Sequence, residues 1–299
     1  MNNLRGFMGS RISAFLRSFS RLLGLTPATP IPIVAMLSSI KRQSSTLDRV
    51  AVQDGQHGMV DTTAAISSMV DELYGLPTTP PSLYIDLEGV KLSRRGTVSI
   101  LQIHVRTTGK SYLVDVKTLQ NDAFSTPGAC TRSTLKAILE SVSIPKVFFD
   151  VHRDSDALYS HYGIALGGVH DLQLMEIATR RGPKRVIYGL KRCIESHLRM
   201  KPAEKSAWTK AKEEGIGLFD PGKGGSYEVF NQRPLPEKIR LYCIEDVHYL
   251  ARLWDTYDRK MTPAWRTKVL NATKARITES QAPGFNPVAR TMSLAPARW

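Results

Sequence analysis

Two carboxylates stand at the end of a predicted buried strand, the segment from Leu83 to Glu88. Side chains of a strand alternate between its two faces, so Asp86 and Glu88 point the same way while their neighbours along the chain point into the core. Paired carboxylates offer the hard oxygen ligands that Mg²⁺ prefers. The pair therefore predicts a metal-binding edge, although an Asp-x-Glu at a strand end is on its own more often the start of a solvated loop.

A second acidic stretch runs from the end of another predicted strand into a helix. It contains Asp150, Asp154 and Asp156, with His152 between the first two. Asp150 ends the strand and could face the same cleft, whereas Asp156 is two helical positions from Asp154 and so points away from it. His152 adds the option of a site with mixed histidine and carboxylate ligands, although we expect it to hydrogen-bond neighbouring polar groups. The residues alone leave these alternatives open.

The third stretch lies in a strongly helical segment predicted from about Pro236 to Tyr257, whose apolar residues fall on one stripe. Tyr242 and Asp246 are four residues apart and therefore lie one turn apart on the same face of this helix. The helix thus presents a phenol and a carboxylate together. Taken alone, Tyr242 is more simply interpreted as a half-buried helix tyrosine.

Alternating apolar runs separated by glycine-containing turns must position the first pair of carboxylates, and they predict an antiparallel meander of three strands. A helix at 131–141 then leads to a fourth strand, and strands joined through a helix pair in parallel by a right-handed crossover. The sequence therefore predicts an α/β fold with a mixed sheet flanked by helices. The predicted strands are Leu83 to Glu88, Val98 to Val105, Ser111 to Val116 and Pro145 to Phe149.

The chain divides into four predicted segments. These are a basic targeting or disordered segment at 1–47, a linker at 48–81, a folded domain at 82–258 and a basic C-terminal tail at 259–299. The linker ends in a proline-rich run that cannot continue a helix. Within the domain, residues 200–232 are polar and rich in Gly and Lys, so we predict a long loop or insertion there. The tail is expected to be either a basic helix against the substrate or a flexible end.

The charge of the chain favours an anionic partner. Its 299 residues hold 41 Lys and Arg against 27 Asp and Glu, a formal net charge of +14, which suits nucleic acid or an anionic membrane surface. The first 47 residues contain six basic residues and no acidic one, with apolar residues at helical spacing opposite Arg and Ser. This pattern is typical of a mitochondrial transit peptide; the alternatives are a disordered tail and a nuclear or cytoplasmic protein.

Two other classes of protein are not indicated by the sequence. No apolar run reaches the roughly 18 residues that a membrane helix needs, so no membrane span is expected. Cys130, Cys193 and Cys243 are far apart, without a Cys-x-x-Cys pair. Neither a zinc site nor a disulfide framework is therefore predicted.

Together, the three acidic stretches resemble the motifs of the DEDD 3′→5′ exonucleases, in the ribonuclease D and Werner-type group and its tyrosine subclass. Asp86-Leu87-Glu88 resembles the family's Asp-x-Glu. Asp154, four residues before Leu158 at a helix start, resembles the second motif, and Tyr242 with Asp246 resembles Tyr-x-x-x-Asp. The resemblance covers about residues 82–257 and implies a ribonuclease H-like fold.

The resemblance implies a hydrolase that removes nucleotides from the 3′ end of a nucleic acid with two Mg²⁺ or Mn²⁺ ions. Two divalent ions about 4 Å apart can activate the attacking water and stabilise the leaving oxygen. By this resemblance four carboxylates hold the ions and Tyr242 positions the water. The implied ligands are Asp86, Glu88, Asp154 and Asp246. The rival interpretation is an inactive adaptor of the same fold that binds nucleic acid, but no motif ligand is missing here.

A run of basic residues after the core is the predicted contact to nucleic acid, because it could follow a phosphate backbone. A solvated loop explains such a run equally well. The expected partner is a single-stranded 3′ end of RNA or DNA; both polymers offer the same phosphodiester, and no base-reading module is evident. Protein partners are not indicated. The basic residues are Arg180, Arg181, Lys184, Arg185, Lys191 and Arg192.

Overall fold

One six-stranded sheet organises the fold. The computed structural model describes residues 57–287, 294–296 and 299, so the predicted targeting segment at 1–47 lies outside the described residues. The strands are β1 His57–Val60, β2 Leu83–Glu88, β3 Ile100–Val105, β4 Ser111–Val114, β5 Lys146–Phe148 and β6 Val169–Asp171. They lie in the order β1-β4-β3-β2-β5-β6.

The strand pairing makes the sheet mixed, and the predicted α/β class is confirmed. β2, β3 and β4 form an antiparallel meander, β5 and β6 continue it in parallel beyond β2, and β1 runs parallel to β4. β2 therefore has a partner on each side. Its alternation places Ile85 and Leu87 in one apolar layer and Tyr84 in the other, so Asp86 and Glu88 share the face of Tyr84.

Helices cover both faces of this sheet. They are α1 Thr63–Leu73, α2 Val116–Leu119, α3 Asp122–Ser125, α4 Leu135–Glu140, α5 His152–Tyr162, α6 Leu172–Thr179, α7 Leu190–His197, α8 Pro202–Phe219, α9 Glu237–His248, α10 Leu250–Asp258 and α11 Pro263–Gln281. Local sequence explains several ends. The Thr62 hydroxyl accepts the Ala65 N–H at the start of α1, and Gly163, at φ 60°, ends α5 in the left-handed conformation.

The helices divide between the two faces in a way that positions the carboxylates of β2. On one face, α1, α4 and α5 pack against Ile85 and Leu87. On the other, α6 and α10 pack against Tyr84, and α9 packs against Ile100 and Leu113. Burying one such large apolar side chain contributes about 1.5–3 kcal/mol. The carboxylates of β2 therefore lie on the face that α9 covers.

Residues 57–73, predicted as part of a linker, belong to the folded domain. β1 extends the sheet beside β4, and α1 buries apolar side chains in the core. The prediction was wrong because β1 is too short for its alternation to stand out. The spacing in α1 is nevertheless helical, with buried residues at i, i+3, i+4 and i+7. These residues are Ile66, Met69, Val70 and Leu73.

The segment predicted as a long loop, residues 200–232, is largely helical. α8 occupies more than half of it, and two 3₁₀ turns, Pro221–Lys223 and Tyr227–Asn231, follow. The buried residues of α8 are Trp208, Lys212 and Gly215. A buried face built from one aromatic, one lysine and one glycine produces no apolar periodicity, and for this reason the prediction was wrong.

The region predicted as a basic tail forms α11, which packs against α5, α6 and β6. Its buried residues include Thr273, Arg276 and Ser280, and such a polar inner face explains why no core helix was predicted. The predicted helix at 236–257 is two helices, α9 and α10, separated at Tyr249. Among the described residues, no helix is long and apolar enough to cross a membrane.

Candidate active site

The end of β2 meets α9 at a cluster of three carboxylates. One oxygen from each of Asp86, Glu88 and Asp246 lies within 4.8 Å of the others. β2 supplies the first two because residues two apart on a strand share a face. α9 supplies the third from the helix that covers this face. The structure thus brings together three of the four predicted metal ligands.

The charges of this cluster oppose one another. Asp86 and Glu88 are half-buried, and the protein surrounds them closely enough to remove most of their hydration. Burial, followed by the charge of Asp246, raises the pKa of Asp86 from 3.8 to about 7. Burial and the charge of Asp86 likewise raise the pKa of Glu88 well above its usual range. A cation among the three carboxylates would reverse these shifts.

The donor set fits a hard divalent cation. The converging atoms are all carboxylate oxygens, which suit Mg²⁺ and Mn²⁺ better than softer metals. A second observation supports a cation site. The side-chain amide of Gln102, directly across the sheet from Asp86, is buried without a hydrogen-bond partner among the described residues. An amide in that position can donate a hydrogen bond to an ionised carboxylate.

The fourth predicted ligand, Asp154, lies in the first turn of α5. Burial is the largest effect on its carboxyl, and the charges of Asp86, Asp150 and Glu88 add to it, so its pKa is raised well above the usual range. The charges of Asp86 and Glu88 act on Asp154, which lies outside the group of three oxygens. Its role as a ligand stays a prediction.

The two competitors of Asp154 are engaged in other contacts. Asp156 is fully buried and accepts from Arg94 twice, from Nε at 2.6 Å and from the backbone N–H at 2.8 Å. Asp150 lies 2.6 Å from Nδ1 of His152 and 3.4 Å from Nη1 of Arg276. His152 therefore bonds a neighbouring carboxylate, as expected from the sequence.

The turn that leads into α5 is fixed by Asp171. Its carboxylate accepts the backbone N–H groups of Asp150 at 3.1 Å and Val151 at 3.3 Å, and it pairs with Arg276 at 2.7 Å. Asp150 has φ 63°, a left-handed conformation that typically costs a non-glycine residue about 1–3 kcal/mol. α11 thus helps to hold the turn that positions Asp154.

Tyr242 is held by one face of α8. Nζ of Lys212 lies 3.4 Å from the centre of the phenol ring, and Phe219 meets the ring edge-on with centroids 5.0 Å apart. Gly215 packs so closely that a Cβ there would lie 2.6 Å from Tyr242. Burial, then the charges of Asp246 and Glu88, raise the pKa of Tyr242. The hydroxyl therefore keeps its proton at neutral pH.

Lys212 is the site residue that sequence reasoning missed. Its ammonium forms an ion pair with Asp246, and the two side chains are 8% and 6% exposed, so the pair is shielded from solvent. The signal that could have found it is the spacing of Trp208, Lys212, Gly215 and Phe219, which places all four on one helical face. Hydrophobic periodicity alone gives no weight to the lysine or the glycine.

A cavity of about 560 Å³ opens beside Glu88. The loop between β2 and β3, the start of α5 and residues 285–287 form its walls, and three exposed cations line it: Lys91, Arg95 and Arg153. No carboxylate of the described chain pairs with Lys91 or Arg95. Arg94 fixes the segment that leads to residues 285–287 by donating hydrogen bonds to the carbonyls of Ser280, Ala282 and Pro283.

Residues 58–262 match the family described as 3′-5′ exonuclease, which is more than half of the chain. The chain belongs to this family. Its predicted membership of the DEDD exonucleases is confirmed, and the match takes in α1 and all of β1 except His57. No curated protein matches the chain significantly.

Solved structures show the same exonuclease fold. The complex of Trypanosoma brucei RNase D with GMP is 24% identical, with TM-score 0.63, over 80% of this chain and 69% of that one. The same enzyme with RNA U12 is 22% identical, with TM-score 0.62, over 80% of this chain and 76% of that one. Escherichia coli RNase D is 19% identical, with TM-score 0.51, over 76% of this chain and 51% of that one. At these identities the likeness is one of fold.

Three of the six basic residues predicted to contact nucleic acid use their charge within the exonuclease domain. Arg180 pairs with buried Glu176, and the guanidinium groups of Arg180 and Arg192 each lie 3.6 Å from the centre of the Tyr188 ring. Lys184 donates to the carbonyls of Ile177, Ala178 and Arg180. The role of the whole group in binding stays a prediction. The exposed members are Arg181, Arg185, Lys191 and Arg192.

Proposed function

We propose that this chain hydrolyses phosphodiester bonds from the 3′ end of a single-stranded nucleic acid, RNA or DNA, with two Mg²⁺ or Mn²⁺ ions. The observation that carries the proposal is the convergence of Asp86, Glu88 and Asp246 at the end of β2 in a chain of the 3′-5′ exonuclease family. The structure of T. brucei RNase D with RNA U12 is consistent with a nucleic acid as the substrate.

Four carboxylates would hold the ions: Asp86, Glu88, Asp154 and Asp246. When bound, such ions supply an activated water and a stabilised leaving oxygen. The raised pKa values of Asp86 and Glu88 favour this assignment, because their burial and mutual repulsion are relieved by a cation. Cation binding would therefore release protons from the site at neutral pH.

Tyr242 would position the attacking water. Its hydroxyl is held protonated by burial and by the carboxylates around it, so it can donate one hydrogen bond and accept another. α8 keeps the ring in place through Gly215 and Phe219. The water would thus be oriented by a group whose own position is fixed by packing.

The strand of nucleic acid would enter through the cavity beside Glu88. Lys91, Arg95 and Arg153 line it, and basic side chains at such a site neutralise backbone phosphates. Arg181, Arg185, Lys191 and Arg192, predicted from the sequence, are the competing surface. We give priority to the cavity because it adjoins a proposed metal ligand.

The rival function, an inactive adaptor that binds nucleic acid, is less well supported. Loss of catalysis would be expected to leave a gap among the motif residues, whereas all four carboxylates and the tyrosine are present. Three of the carboxylates also converge. Both the enzyme and the adaptor would bind nucleic acid, so only a measurement of cleavage distinguishes them.

The test is degradation of 3′-labelled and 5′-labelled single-stranded RNA and DNA with Mg²⁺ or Mn²⁺, comparing the wild type with an Asp86→Ala, Glu88→Ala variant. We expect the wild type to release mononucleotides from the 3′ end and the variant to release none. Binding of these strands without cleavage by either metal would reject the enzyme in favour of the adaptor. The polymer degraded faster identifies the substrate.

We further propose a mitochondrial location, supported only by the acid-free basic composition of residues 1–47. Fusing this segment to a fluorescent protein tests it, with a matched fusion in which Arg5, Arg11, Arg17 and Arg21 are replaced by Gln. Mitochondrial fluorescence that depends on the arginines is expected. Nuclear or cytoplasmic fluorescence of the unaltered fusion would contradict the proposal.

A further inference from the structure

Gln102 on β3 is an unusual residue for the interior of a sheet. It is 0% exposed, and neither its Nε2 nor its Oε1 has a hydrogen-bond partner among the described residues. The great majority of buried polar groups in proteins have a hydrogen-bond partner, because removing such a group from water without one is unfavourable. A buried amide with both ends unpaired therefore calls for a functional explanation.

The position of Gln102 leaves it few possible partners. In the strand register it lies directly opposite Asp86 on β2 and opposite Leu113 on β4. Side chains of directly opposed residues stand on the same face of a sheet, with Cβ atoms about 4.5–5.5 Å apart. One flank of the amide is thus apolar, and the other is a carboxylate of the proposed metal site.

The helix above the sheet offers Gln102 only a weak partner. The Cys243 thiol on α9 has a pKa raised by burial, an effect that the nearby Gln102 amide partly offsets. The two groups nevertheless do not meet in hydrogen-bond geometry, and a thiol is a weak partner in either role. Asp86 is therefore the strongest acceptor beside the amide.

A charged Asp86 would need a donor of this kind. An ionised carboxylate has about four acceptor sites on its two oxygens, and a cation can occupy only the sites that face it. Carboxylates that bind metals are themselves hydrogen-bonded, which fixes their orientation. The nearby ammonium of Lys212 is paired with Asp246 and not with Asp86.

We propose that Gln102 is a positioning residue for the metal site: its amide N–H₂ would donate to the ionised Asp86 carboxylate and so hold it in the orientation in which it can bind a cation. The inference rests on the proposed two-metal function. It assigns a purpose to an amide that is otherwise unfavourable in the core. Its expected signature is a loss of cation affinity without a loss of folding stability.

The test compares Gln102→Met with a matched control, Gln173→Met, in the full-length chain. Gln173 on α6 is also a buried amide, 3% exposed. Its Oε1 has no partner among the described residues, but its Nε2 donates to the Tyr188 carbonyl at 3.2 Å. Mn²⁺ affinity is measured directly by calorimetry without substrate, and thermal unfolding is measured without metal. Neither readout depends on turnover.

Gln102→Met is expected to weaken Mn²⁺ binding about 10–100-fold, the usual effect of removing a group that orients a metal ligand. Its metal-free melting temperature should equal or exceed that of the wild type, because an unpaired polar group is replaced by an apolar one. Gln173→Met should show the opposite pair of results: unchanged Mn²⁺ affinity and a lower melting temperature.

Equal Mn²⁺ affinity in the wild type and Gln102→Met would overturn the positioning role while leaving the proposed function intact. Absence of Mn²⁺ binding by the wild type would overturn the proposed metal site itself, and the positioning role with it. If Gln102→Met does not fold, Gln102→Asn replaces it. That variant keeps the amide one methylene short of Asp86, so weakened Mn²⁺ binding is expected and unchanged binding would count against the inference.

Discussion

The two walls of the site differ in their chemistry and in how they arise from the sequence. The β2 wall, Asp86 and Glu88, supplies charges that repel one another. The α8 wall, Lys212, Gly215 and Phe219, supplies a cation and the packing that holds Tyr242. Without a bound cation the carboxylates of the β2 wall repel one another, and the positive charge of Lys212 in the α8 wall reduces this repulsion. Groups that perform chemistry and groups that hold them are therefore separable by experiment.

Asp86→Asn should have the largest effect on activity and little unfavourable effect on folding. Asn has the shape of Asp but is a weaker metal ligand, so we expect turnover to fall on the order of 10³-fold or more. Removing one of three crowded carboxylates should leave the metal-free chain as stable as the wild type or more stable. Release of nucleotides from labelled strands and urea unfolding without metal measure the two effects. Activity within tenfold of the wild type would remove Asp86 from the proposed mechanism.

Lys212→Met should have the opposite effect to Asp86→Asn, because its main expected result is a loss of folding stability. It leaves Asp246 buried among carboxylates without its cation, and breaking a buried ion pair from one side costs about 3–5 kcal/mol of unfolding free energy. Urea unfolding without metal measures it. Mn²⁺ should restore much of the loss, because a bound cation replaces the missing charge.

Lys210→Met is the matched control for Lys212→Met, because Lys210 lies on the same helix and is exposed. Its unfolding free energy should change by less than about 0.5 kcal/mol. Equal effects of the two substitutions would mean that the pair with Asp246 contributes nothing measurable, and the contrast between the two walls would then fail.

The β2 wall could be predicted from the sequence because the alternation of apolar and polar residues along a strand is visible in the sequence. The alternation from Leu83 to Glu88 gave both the strand and the shared face of its carboxylates, and the two following runs gave the meander. The spacing of Tyr242 and Asp246 placed them on one helix face, which the structure shows. In each case a local period carries the information.

The α8 wall could not be predicted because its inner face is not apolar. Lys212 is buried in an ion pair with Asp246. Gly215 is buried against the ring of Tyr242, which could not approach so closely if this residue had a Cβ. Both are long-range contacts that no local period records. The same holds for Arg276, which is buried in α11 by its pairing with Asp171.

The contribution of Asp86 to the stability of the metal-free chain should fall as the pH rises from about 4 to about 7. Asp86 has a folded pKa of about 7 against an ordinary value of 3.8, so the folded state binds more protons in this range. The neutral carboxyl thus contributes stability below pH 3.8 that is lost as the pH passes through 7. Urea unfolding at several pH values should show a shallower fall for Asp86→Asn. A steeper fall in that variant would contradict the shift.

The smallest expected effects come from two glycines of α8 that differ in their surroundings. A Cβ on Gly215 would lie 2.6 Å from Tyr242, whereas no atom of the described residues lies within 4 Å of a Cβ on Gly217. Gly217→Ala should therefore stabilise the chain by about 0.5–1 kcal/mol through helix propensity. Gly215→Ala should destabilise it by about 1–3 kcal/mol through overpacking.

Activity separates these glycines further, because the displaced ring carries the hydroxyl proposed to orient the water. A shift of about 1 Å in a positioning group can lower turnover about 100-fold. Gly215→Ala should therefore lower kcat with little change in KM, since the cavity that receives the strand is lined by other residues, while Gly217→Ala leaves both constants unchanged. A Gly215→Ala variant that is destabilised but fully active would show that α8 supports the fold without positioning Tyr242, and the α8 wall would then be structural only.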